Sequence, residues 1–300
     1  LTTSSLMSQS DFSRRIKLAT LLKGAAVVEA LNQESAEMVK HLEQLGVSPT
    51  LAIVRVGERE DDIAYERGAT KRCEKVGVAV KQVTLSGDCS EAELIETLEG
   101  LNADDQVHGI LLFRPLPKYM DEDRVRNIVA PNKDIDGITD LSLAGVFTGV
   151  ETGFAPCTAQ ACMEILDFYG IETKGKRAVV IGRSLVVGKP AALMLISKNA
   201  TVTVCHTRTI DMPAVCRQGE IVIVSAGRPG IVDASYLSEG QVVIDVGINV
   251  TEDGNLVGDV DFEAAEPLVG AITPVPGGVG TVTTSVLVKH VVQAAQRTLE

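Results

Sequence analysis

The sequence predicts an α/β protein of two domains, the second of them a Rossmann-type dinucleotide-binding domain. The chain has 300 residues, which suggests two domains of about 150 residues each. Hydrophobic residues make up 45% of it but aromatic residues only 3%. The cores must therefore be aliphatic, as in parallel sheets covered by helices. Short apolar runs also alternate with helical patterns, which is typical of βαβ units.

Residues 1–155 are predicted to form the first domain. Helical periodicity runs over residues 23–45, a second helix passes through Tyr65, and a capping box opens a third at Ser90. Short, nearly continuous apolar runs predict three buried parallel strands, at residues 50–57, 78–85 and 108–114. This β-α-β-α-β order indicates a complete α/β unit.

Residues 156–280 are predicted to form the second domain. Its four expected strands lie at residues 177–181, 201–205, 221–226 and 242–246. A glycine-proline loop at residues 273–280 then precedes a last apolar helix. The sequence has no internal repeat and no low-complexity linker, so the two units follow each other directly.

One strand–turn–helix junction in the second domain indicates a dinucleotide site. A buried strand leads to a turn at Gly182, and a helix opens near Gly188. In such a junction the free N–H groups of the helix N-terminus hold a pyrophosphate. The spacing departs from G-x-G-x-x-G, because Ser184 replaces the second glycine and Gly188 comes one residue late. Taken alone the pattern is weak, since any such junction needs a glycine.

The next strand indicates which dinucleotide is bound. NAD-preferring folds place an acid at its end, whereas here it is followed by His206, Thr207 and Arg208. Thr207 with Arg208 and Arg183 suits a 2′-phosphate, so NADP is favoured and NAD remains possible. Alternatively, both arginines are solvated surface charges and His206 is a packed or capping residue. Gly227 ends the third strand, where a backbone must pass close to the dinucleotide.

Charge and composition exclude several classes of function. A net charge of −12 argues against nucleic-acid binding, which needs a basic face. Six cysteines show no metal-site spacing, so they are expected to be reduced and buried, as in a cytoplasmic protein. No apolar run approaches the roughly 20 residues of a membrane span. Residues 1–10 are too polar for a signal peptide and are expected to be an unstructured leader.

Four motifs carry a resemblance to a known family. They are Asp134-Ile-Asp-Gly137, Gly182-Arg-Ser-x-x-Val-Gly-x-Pro190, Ile244-Asp-Val-Gly-Ile-Asn249 and Thr273-Pro-Val-Pro-Gly-Gly-Val-Gly280. With these motifs in order and at matching spacing, the chain resembles the methylenetetrahydrofolate dehydrogenase/cyclohydrolase family from about residue 20 to its end. The resemblance implies a folate cleft between the domains, a final helix (residues 281–300) that returns to the first domain, and usually a homodimer.

Family members usually carry two activities in one cleft. The first transfers a hydride from 5,10-methylenetetrahydrofolate to the nicotinamide, and the second hydrolyses the methenyl product to 10-formyltetrahydrofolate. The resemblance implies that Asp136 holds the pterin ring and that Tyr65 stacks on the aminobenzoyl ring; these two are the predicted catalytic residues. Alternatively, Asp134 and Asp136 only shape a turn and Tyr65 is a core residue.

The resemblance also implies the remaining binding residues. Those predicted to line the folate cleft are Phe113, Leu116, Pro276, Gly277 and Gly278. Those predicted to bind the cofactor are Gly182, Arg183, Ser184, Gly188, His206, Thr207, Arg208, Gly227 and Ile248. No metal site is predicted.

The chain departs from the family pattern at the residues that serve hydrolysis. The family's catalytic lysine, four residues after the tyrosine, corresponds to Ala69, and the glutamine that partners it corresponds to Phe113. Lys71 lies only two residues further along, but two residues turn a helix by roughly 200°, which points it away. Smaller departures at Ala159 and Thr281 could reshape the pocket.

The two reactions differ in what they require of side chains. Hydride transfer moves no proton and depends on positioning, whereas hydrolysis needs a placed acid or base. The sequence therefore predicts an NADP-dependent, monofunctional dehydrogenase that passes its product to a separate cyclohydrolase. One alternative is a bifunctional enzyme that uses Lys71 or another base. Another is a non-catalytic relative that binds folate and nucleotide.

Overall fold

The computed structural model describes residues 18–300, so the predicted leader at residues 1–10 lies outside the described residues. The first half contains β1 (Thr20–Leu21), α1 (Gly24–Gln44), β2 (Thr50–Val56), α2 (Glu60–Val76), β3 (Ala79–Leu85), α3 (Glu91–Ala103), β4 (Gly109–Leu112), α4 (Glu122–Arg126) and α5 (Asp140–Thr148). The second half contains α6 (Cys157–Phe168), β5 (Arg177–Ile181), α7 (Gly188–Ser197), β6 (Thr201–Cys205), α8 (Met212–Cys216), β7 (Ile221–Val224), β8 (Val242–Asp245), β9 (Asn249–Val250), β10 (Leu256–Val257), α9 (Phe262–Ala265), β11 (Ala271–Ile272) and α10 (Val279–Arg297).

The first domain is built on a parallel sheet of three strands in the order β3-β2-β4. The middle strand, β2, is buried on both faces, which explains its nearly continuous apolar run. Leu51 and Ile53 face a core shared with α1, α2 and α10, whereas Ala52 and Val54 face the core under α3 and α4. Because the strands are parallel, β2 and β4 end at the same edge of the sheet, where α2 begins.

The second domain contains a parallel sheet of six strands in the order β1-β11-β8-β7-β5-β6. The α/β class and the parallel sheets predicted from the sequence are confirmed. One pairing was not anticipated: β1 joins this second sheet beside β11, with Thr20 opposite Ala271. A stretch that precedes the first helix thus belongs structurally with the second domain, although it falls inside the predicted 1–155 unit. A two-residue strand carries too little pattern to be recognised from sequence.

The final helix, α10, connects the two halves of the molecule. It packs against α1 and α2 and against α6. Its first turn lies against the start of α1. The approach is so close that a side chain at Gly24 would collide with the Thr281 hydroxyl and the Gly278 carbonyl. The loop before α10 is held there as well, since the Gly24 N–H donates to the Gly277 carbonyl oxygen at 2.8 Å.

Within residues 18–300, no helix combines the length and the apolar character needed to cross a membrane. All six cysteines fall inside the range, and each is buried and unpaired.

Candidate active site

The edge where β4 ends brings together two of the predicted substrate residues. The Tyr65 ring, in the second turn of α2, packs edge-on against the Phe113 ring, with centroids 5.7 Å apart and planes at 87°. One turn further along α2, Ala69 is only 1% exposed and belongs to the same core as Phe113. Lys71 is exposed, so it lies on the outer side of the helix. This agrees with the rotation of roughly 200° that two residues along a helix produce.

The inward face of α2 carries two acids, and both are already paired. The Glu66 carboxylate accepts from Arg55 Nε at 2.9 Å, and Asp62 lies 3.4 Å from Arg59. Both carboxylates are thus already engaged by cations of the protein itself. The described part of α2 therefore offers no unpaired carboxylate and no inward-facing amine to the cleft.

The two acids of the Asp-Ile-Asp motif have different environments. Asp134 is fully buried, and its carboxylate accepts from the backbone N–H groups of Ile138 at 3.0 Å and Thr139 at 2.8 Å. It therefore shapes the turn. Asp136 is only partly buried and receives no backbone N–H bond among the described residues; it lines a cavity of about 140 Å³ that reaches the second domain at Leu185. The turn-forming role that the sequence left open thus falls to Asp134.

Electrostatics around Asp136 affect the protonation of two groups. Burial raises the pKa of Asp136 to about 6, the charge of Asp134 pushes it in the same direction, and Arg114 opposes the rise. The Tyr65 hydroxyl is buried near Asp136 and within hydrogen-bonding reach of Thr284, and burial raises its pKa well above the ordinary value. Tyr65 is therefore a neutral hydrogen-bond donor at physiological pH, and Asp136 is ionised there but close to its titration range.

Not every predicted folate residue joins this group. The Leu116 side chain is buried in the hydrophobic cluster beneath α3 and α4, and its backbone N–H donates to Glu122 Oε2 at 2.9 Å. The structure thus places its side chain in a core and not beside Tyr65 and Asp136. The loop containing Pro276, Gly277 and Gly278 comes immediately before α10, the helix whose second turn supplies Thr284. Gly277 has a positive φ of 101°, which favours glycine at this turn.

A second cavity, of about 270 Å³, lies at the carboxyl edge of the six-stranded sheet. Five predicted cofactor residues line it: Gly182, Arg183, Ser184, His206 and Thr207. The remaining four, Gly188, Arg208, Gly227 and Ile248, are not among its lining residues. Sequence analysis missed several others that do line it, among them Met212, Arg228 and Tyr236, because no pattern distinguishes them from ordinary loop residues.

The glycines explain why this cavity exists. Gly182 has a φ of 123° and lies so close to Ser225 that any side chain would collide with it. Gly188 is the first residue of α7, and a side chain there would collide with the Gly182 carbonyl oxygen. The turn and the helix start are thus packed against each other, which leaves an open cradle of the kind that accepts a dinucleotide backbone.

The cations near this cavity are available to a ligand. Arg183 and Arg208 are both exposed and form no ion pair with any residue in 18–300. His206 has a structural role, since its Nδ1 accepts from the Arg208 N–H at 3.1 Å and its own N–H donates to Thr209 Oγ1 at 2.9 Å. These bonds hold the turn at residues 206–209, and the ring also lines the cavity. Ile248 is 62% exposed and lies against Gly280 at the start of α10.

A buried acid that sequence analysis missed holds one wall of this cavity. Asp259 Oδ2 accepts from the N–H groups of Ala226 at 2.6 Å and Gly227 at 2.8 Å, and its Oδ1 accepts from Arg228 N–H and Asn249 Nδ2, both at 2.9 Å. Three consecutive backbone donors thus converge on one carboxylate. Asp259 fixes the loop after β7, which would pass along the dinucleotide.

Replacing Asp259 by asparagine should destabilise this loop. An amide keeps only one acceptor oxygen and turns its own N–H₂ group towards backbone donors, so we expect a loss of about 2 to 4 kcal/mol in unfolding free energy. The Michaelis constant for the dinucleotide should rise with it. Denaturant unfolding and cofactor titration measure the two effects. Asp261→Asn is the matched control, because Asp261 only caps α9, where asparagine serves as well; equal destabilisation of both variants would contradict the assignment.

Together, the fold and the glycine cradle define an α/β protein of the dinucleotide-binding class, with a second cleft that contains Tyr65 and Asp136. Comparison with known proteins is more specific. Residues 22–136 match the model for the tetrahydrofolate dehydrogenase/cyclohydrolase catalytic domain, and residues 156–299 match the model for the NAD(P)-binding domain of the same enzymes. The chain belongs to the tetrahydrofolate dehydrogenase/cyclohydrolase family, which confirms the resemblance seen in its motifs.

Curated relatives match over almost the whole chain. A protein from Alkaliphilus oremlandii named bifunctional protein FolD is 47% identical over 279 residues, which is 93% of this chain and 98% of the relative. The protein of the same name from Clostridioides difficile is 46% identical over 276 residues, 92% of this chain and 96% of the relative. These names favour the bifunctional alternative over the monofunctional prediction.

Solved structures agree with this family assignment. Bifunctional FolD from Campylobacter jejuni is 38% identical with a TM-score of 0.91, over 93% of this chain and 99% of that one. The Trypanosoma brucei enzyme, solved with NADP and an inhibitor, is 34% identical with a TM-score of 0.87, over 94% of this chain and 99% of that one. The family's domain model describes NAD(P) binding without separating the two dinucleotides.

Proposed function

We propose that the protein is an NADP-dependent 5,10-methylenetetrahydrofolate dehydrogenase that hydrolyses its methenyl product slowly or not at all. The observation that carries the second part is the pair Ala69 and Phe113. They stand where the family pattern has a lysine and its glutamine partner, and they are 1% and 9% exposed. NADP reduction with 5,10-methylenetetrahydrofolate as the sole hydride donor tests the first part. Absence of NADPH formation at saturating folate would favour the non-catalytic alternative.

The roles of the side chains follow from their environments. Bound NADP supplies the hydride acceptor. Asp136 would accept hydrogen bonds from the pterin, and Tyr65, held in place against Phe113, would pack on the aminobenzoyl ring. Since the departing hydride leaves a cation shared between two nitrogens, no proton has to move, and orientation supplies most of the catalysis. An apolar wall at Phe113 also keeps water away from the methenyl carbon.

Hydrolysis requires more than this site provides. Water must be activated and protons moved as the adduct collapses. Tyr65 is held neutral by its raised pKa, and Glu66 and Asp62 are paired with arginines. Asp136 titrates near neutrality, but it is assigned to the pterin. The proposal therefore includes a separate cyclohydrolase as the consumer of the product.

The relatives' shared name supports a second candidate, a bifunctional enzyme that uses a different base. Lys71 was the sequence-based candidate for that base, and its exposed position on α2 does not favour it. Lys71→Ala distinguishes the two readings: lost hydrolysis with unchanged hydride transfer would support a bifunctional enzyme that depends on Lys71. If hydrolysis is present and survives this change, another group must be responsible.

The cofactor preference can be tested at the two exposed arginines. We expect Arg183→Ala and Arg208→Ala each to raise the Michaelis constant for NADP about tenfold or more while leaving that for NAD nearly unchanged, since each removes a charged partner of the 2′-phosphate. Steady-state titration with both dinucleotides measures the change. Arg177→Ala is the control, because Arg177 begins β5 and so lies at the opposite edge of the sheet. Equal losses for NADP and NAD would contradict the assignment.

Folate binding should depend on pH through Asp136. A carboxylate whose pKa is raised from 3.8 to about 6 is ionised above that pH and protonated below it. Because pterin donors need the ionised form, kcat/KM for the folate should be flat above pH 7 and fall as pH drops through 6. A pH profile between 5.5 and 8.5 measures this fall. Even its lower end lies roughly one unit or more above the pKa of ordinary carboxyl groups, so their titration does not contribute. A flat profile would contradict the role of Asp136.

We also infer a homodimer, as the resemblance implies. The antiparallel pair β9 and β10 projects Val250 and Leu256 into solvent, and exposed apolar side chains of this kind are often covered by a second subunit. Light scattering on the purified chain tests the inference, and a monomer at micromolar concentration would overturn it.

A further inference from the structure

The cavity that joins Asp136 to the second domain has an unusual wall. Besides Asp136 and Gly137 it is lined by Arg114, and across from them by Leu185 and Val186 of the loop that follows Gly182. It therefore lies between the candidate folate aspartate and the cofactor loop. Arg114 comes two residues after β4 ends, at the same sheet edge as Tyr65.

The Arg114 guanidinium is poorly satisfied within the protein. Its side chain is 25% exposed, and its one ion contact is Nη1 to Glu122 Oε1 at 3.6 Å, which is longer than a hydrogen bond. Among residues 18–300 its side chain donates no hydrogen bond. Arg126, which lines the same cavity, contrasts with it: its three nitrogens donate to Asp123, Ile138 and Asp140. Every side-chain nitrogen of Arg126 thus already donates within the protein, whereas none of Arg114 does among the described residues.

Asp136 faces this guanidinium without pairing with it. No nitrogen–oxygen distance of 4.0 Å or less joins the two side chains in the described structure, although Arg114 is close enough to lower the pKa of Asp136. The backbone near Arg114 is held in place, since Leu116 N–H donates to Glu122 at 2.9 Å and Arg59 donates to the Pro115 carbonyl at 2.9 Å. A cation and an anion therefore line the same cavity without pairing, and the backbone next to the cation is held in place.

A guanidinium and a carboxylate that line one cavity can together bind a ligand that carries a hydrogen-bond acceptor next to hydrogen-bond donors. A neutral cyclic amide fused to an amino group presents both, and the pterin ring has this edge: a 4-carbonyl oxygen, the adjacent N3–H, and the 2-amino group. An arginine donates to the oxygen, and a carboxylate accepts from the two N–H groups. Neither charge is then left desolvated without a partner when the cleft closes over the ring.

We propose that Arg114 is a substrate-specificity residue that donates to the 4-carbonyl oxygen of the pterin, while Asp136 holds the neighbouring N–H groups. The inference rests on the proposed function. The family motif that residues 113–117 resemble reads Gln-Leu-Pro-x-Pro, whereas this chain reads Phe113-Arg-Pro-Leu-Pro117, so arginine stands where the motif has leucine. Arg114 directly follows Phe113, the residue that corresponds to the family's glutamine.

The test compares tetrahydrofolate with an analogue that has a 4-amino group in place of this oxygen and no proton on N3. The quantity compared between wild type and variant is therefore the ratio of the two dissociation constants. Dissociation constants for tetrahydrofolate and for its 4-amino analogue are measured by calorimetry on the full chain, with the wild type and with Arg114→Leu. Losing a charged hydrogen bond should weaken tetrahydrofolate binding about 10- to 100-fold. The 4-amino analogue turns a donor towards Arg114, so its binding should be unchanged or tighter in the variant. The selectivity for the 4-oxo ligand should fall by the same factor.

A purely structural role for Arg114 gives a different result. Equal weakening of both ligands, or unchanged binding of both, would overturn the proposal. Arg124→Leu is the matched control, because Arg124 is on the next helix, 66% exposed and paired with Glu91 at 3.0 Å; it should leave both constants unchanged. Arg114→Lys, which keeps the charge but not the fork of donors, should lose part of the selectivity and provides a second variant if the leucine protein folds poorly.

The inference and the proposed function can fail separately. Hydride transfer by the wild type reports on the proposed function and does not involve the analogue. The selectivity ratio comes from equilibrium binding and does not require turnover. An active wild-type enzyme whose ratio is insensitive to Arg114→Leu would overturn the inference alone.

Discussion

Hydrolysis of 5,10-methenyltetrahydrofolate is expected to rise about 10²- to 10⁴-fold in the double variant Ala69→Lys/Phe113→Gln, since a positioned acid or base typically contributes a factor of that size. The two changes belong together for a physical reason. Ala69 is buried in the same core as Phe113, so a lysine introduced at Ala69 needs the volume and the polar partner that the second change provides. The assay follows the disappearance of the methenyl compound in the absence of NADP.

Two single lysine variants serve as controls for the double variant. Ala69→Lys alone should fold less stably, because a buried amine without a partner resists ionisation, and it should gain little hydrolysis. Ala64→Lys places an amine on an exposed position of the same helix and should gain none. A folded double variant with unchanged hydrolysis would show that Ala69 and Phe113 do not limit this reaction.

Asparagine at Asp136 is expected to lower kcat/KM for 5,10-methylenetetrahydrofolate by about 10²- to 10³-fold, because truncating one partner of a buried charged contact costs 2 to 5 kcal/mol. Most of the loss should appear in KM, since the carboxylate binds a part of the substrate that does not react. NADP affinity, which depends on the other cavity, should stay the same. The acidic limb of the pH profile should disappear in this variant.

Asp134→Asn is the comparison that separates binding from folding. Asp134 accepts two backbone N–H bonds in the turn, so its replacement should lower the unfolding free energy while the surviving folded enzyme keeps its KM. If both variants lose stability and neither changes KM, the assignment of Asp136 to the substrate is wrong. Thermal unfolding and steady-state kinetics on the same preparations decide between these outcomes.

The sequence predicted those features that depend on local periodicity or backbone sterics. The apolar runs predicted both parallel sheets, and helix geometry predicted that Lys71 faces away from Ala69. The cradle at Gly182 and Gly188 follows from sterics that only glycine satisfies. Each of these depends on residues close together in the chain, where one sequence is enough.

Features that depend on distant residues could not be predicted. Asp259 binds a loop more than thirty positions earlier, and an isolated acid carries no sign of its partners. The pairing of β1 with β11 spans nearly the whole chain. The gap between Arg114 and Asp136 likewise arises only once β4 and the Asp-Ile-Asp turn are brought to one edge. In each of these cases the residue types are visible in the sequence, but only the tertiary structure shows which residues contact one another.

The proposed enzyme oxidises its folate in this cleft and leaves the product unhydrolysed. The direct measurement follows NADPH and methenyltetrahydrofolate together in one reaction with 5,10-methylenetetrahydrofolate and the purified wild-type protein. We expect one methenyl molecule to accumulate for each NADPH and then to decay no faster than it does without protein. Methenyl decay at a rate comparable to NADPH formation, with 10-formyltetrahydrofolate appearing at the same rate, would contradict the proposed absence of hydrolysis. It would establish a bifunctional enzyme, as the names of the protein's relatives suggest.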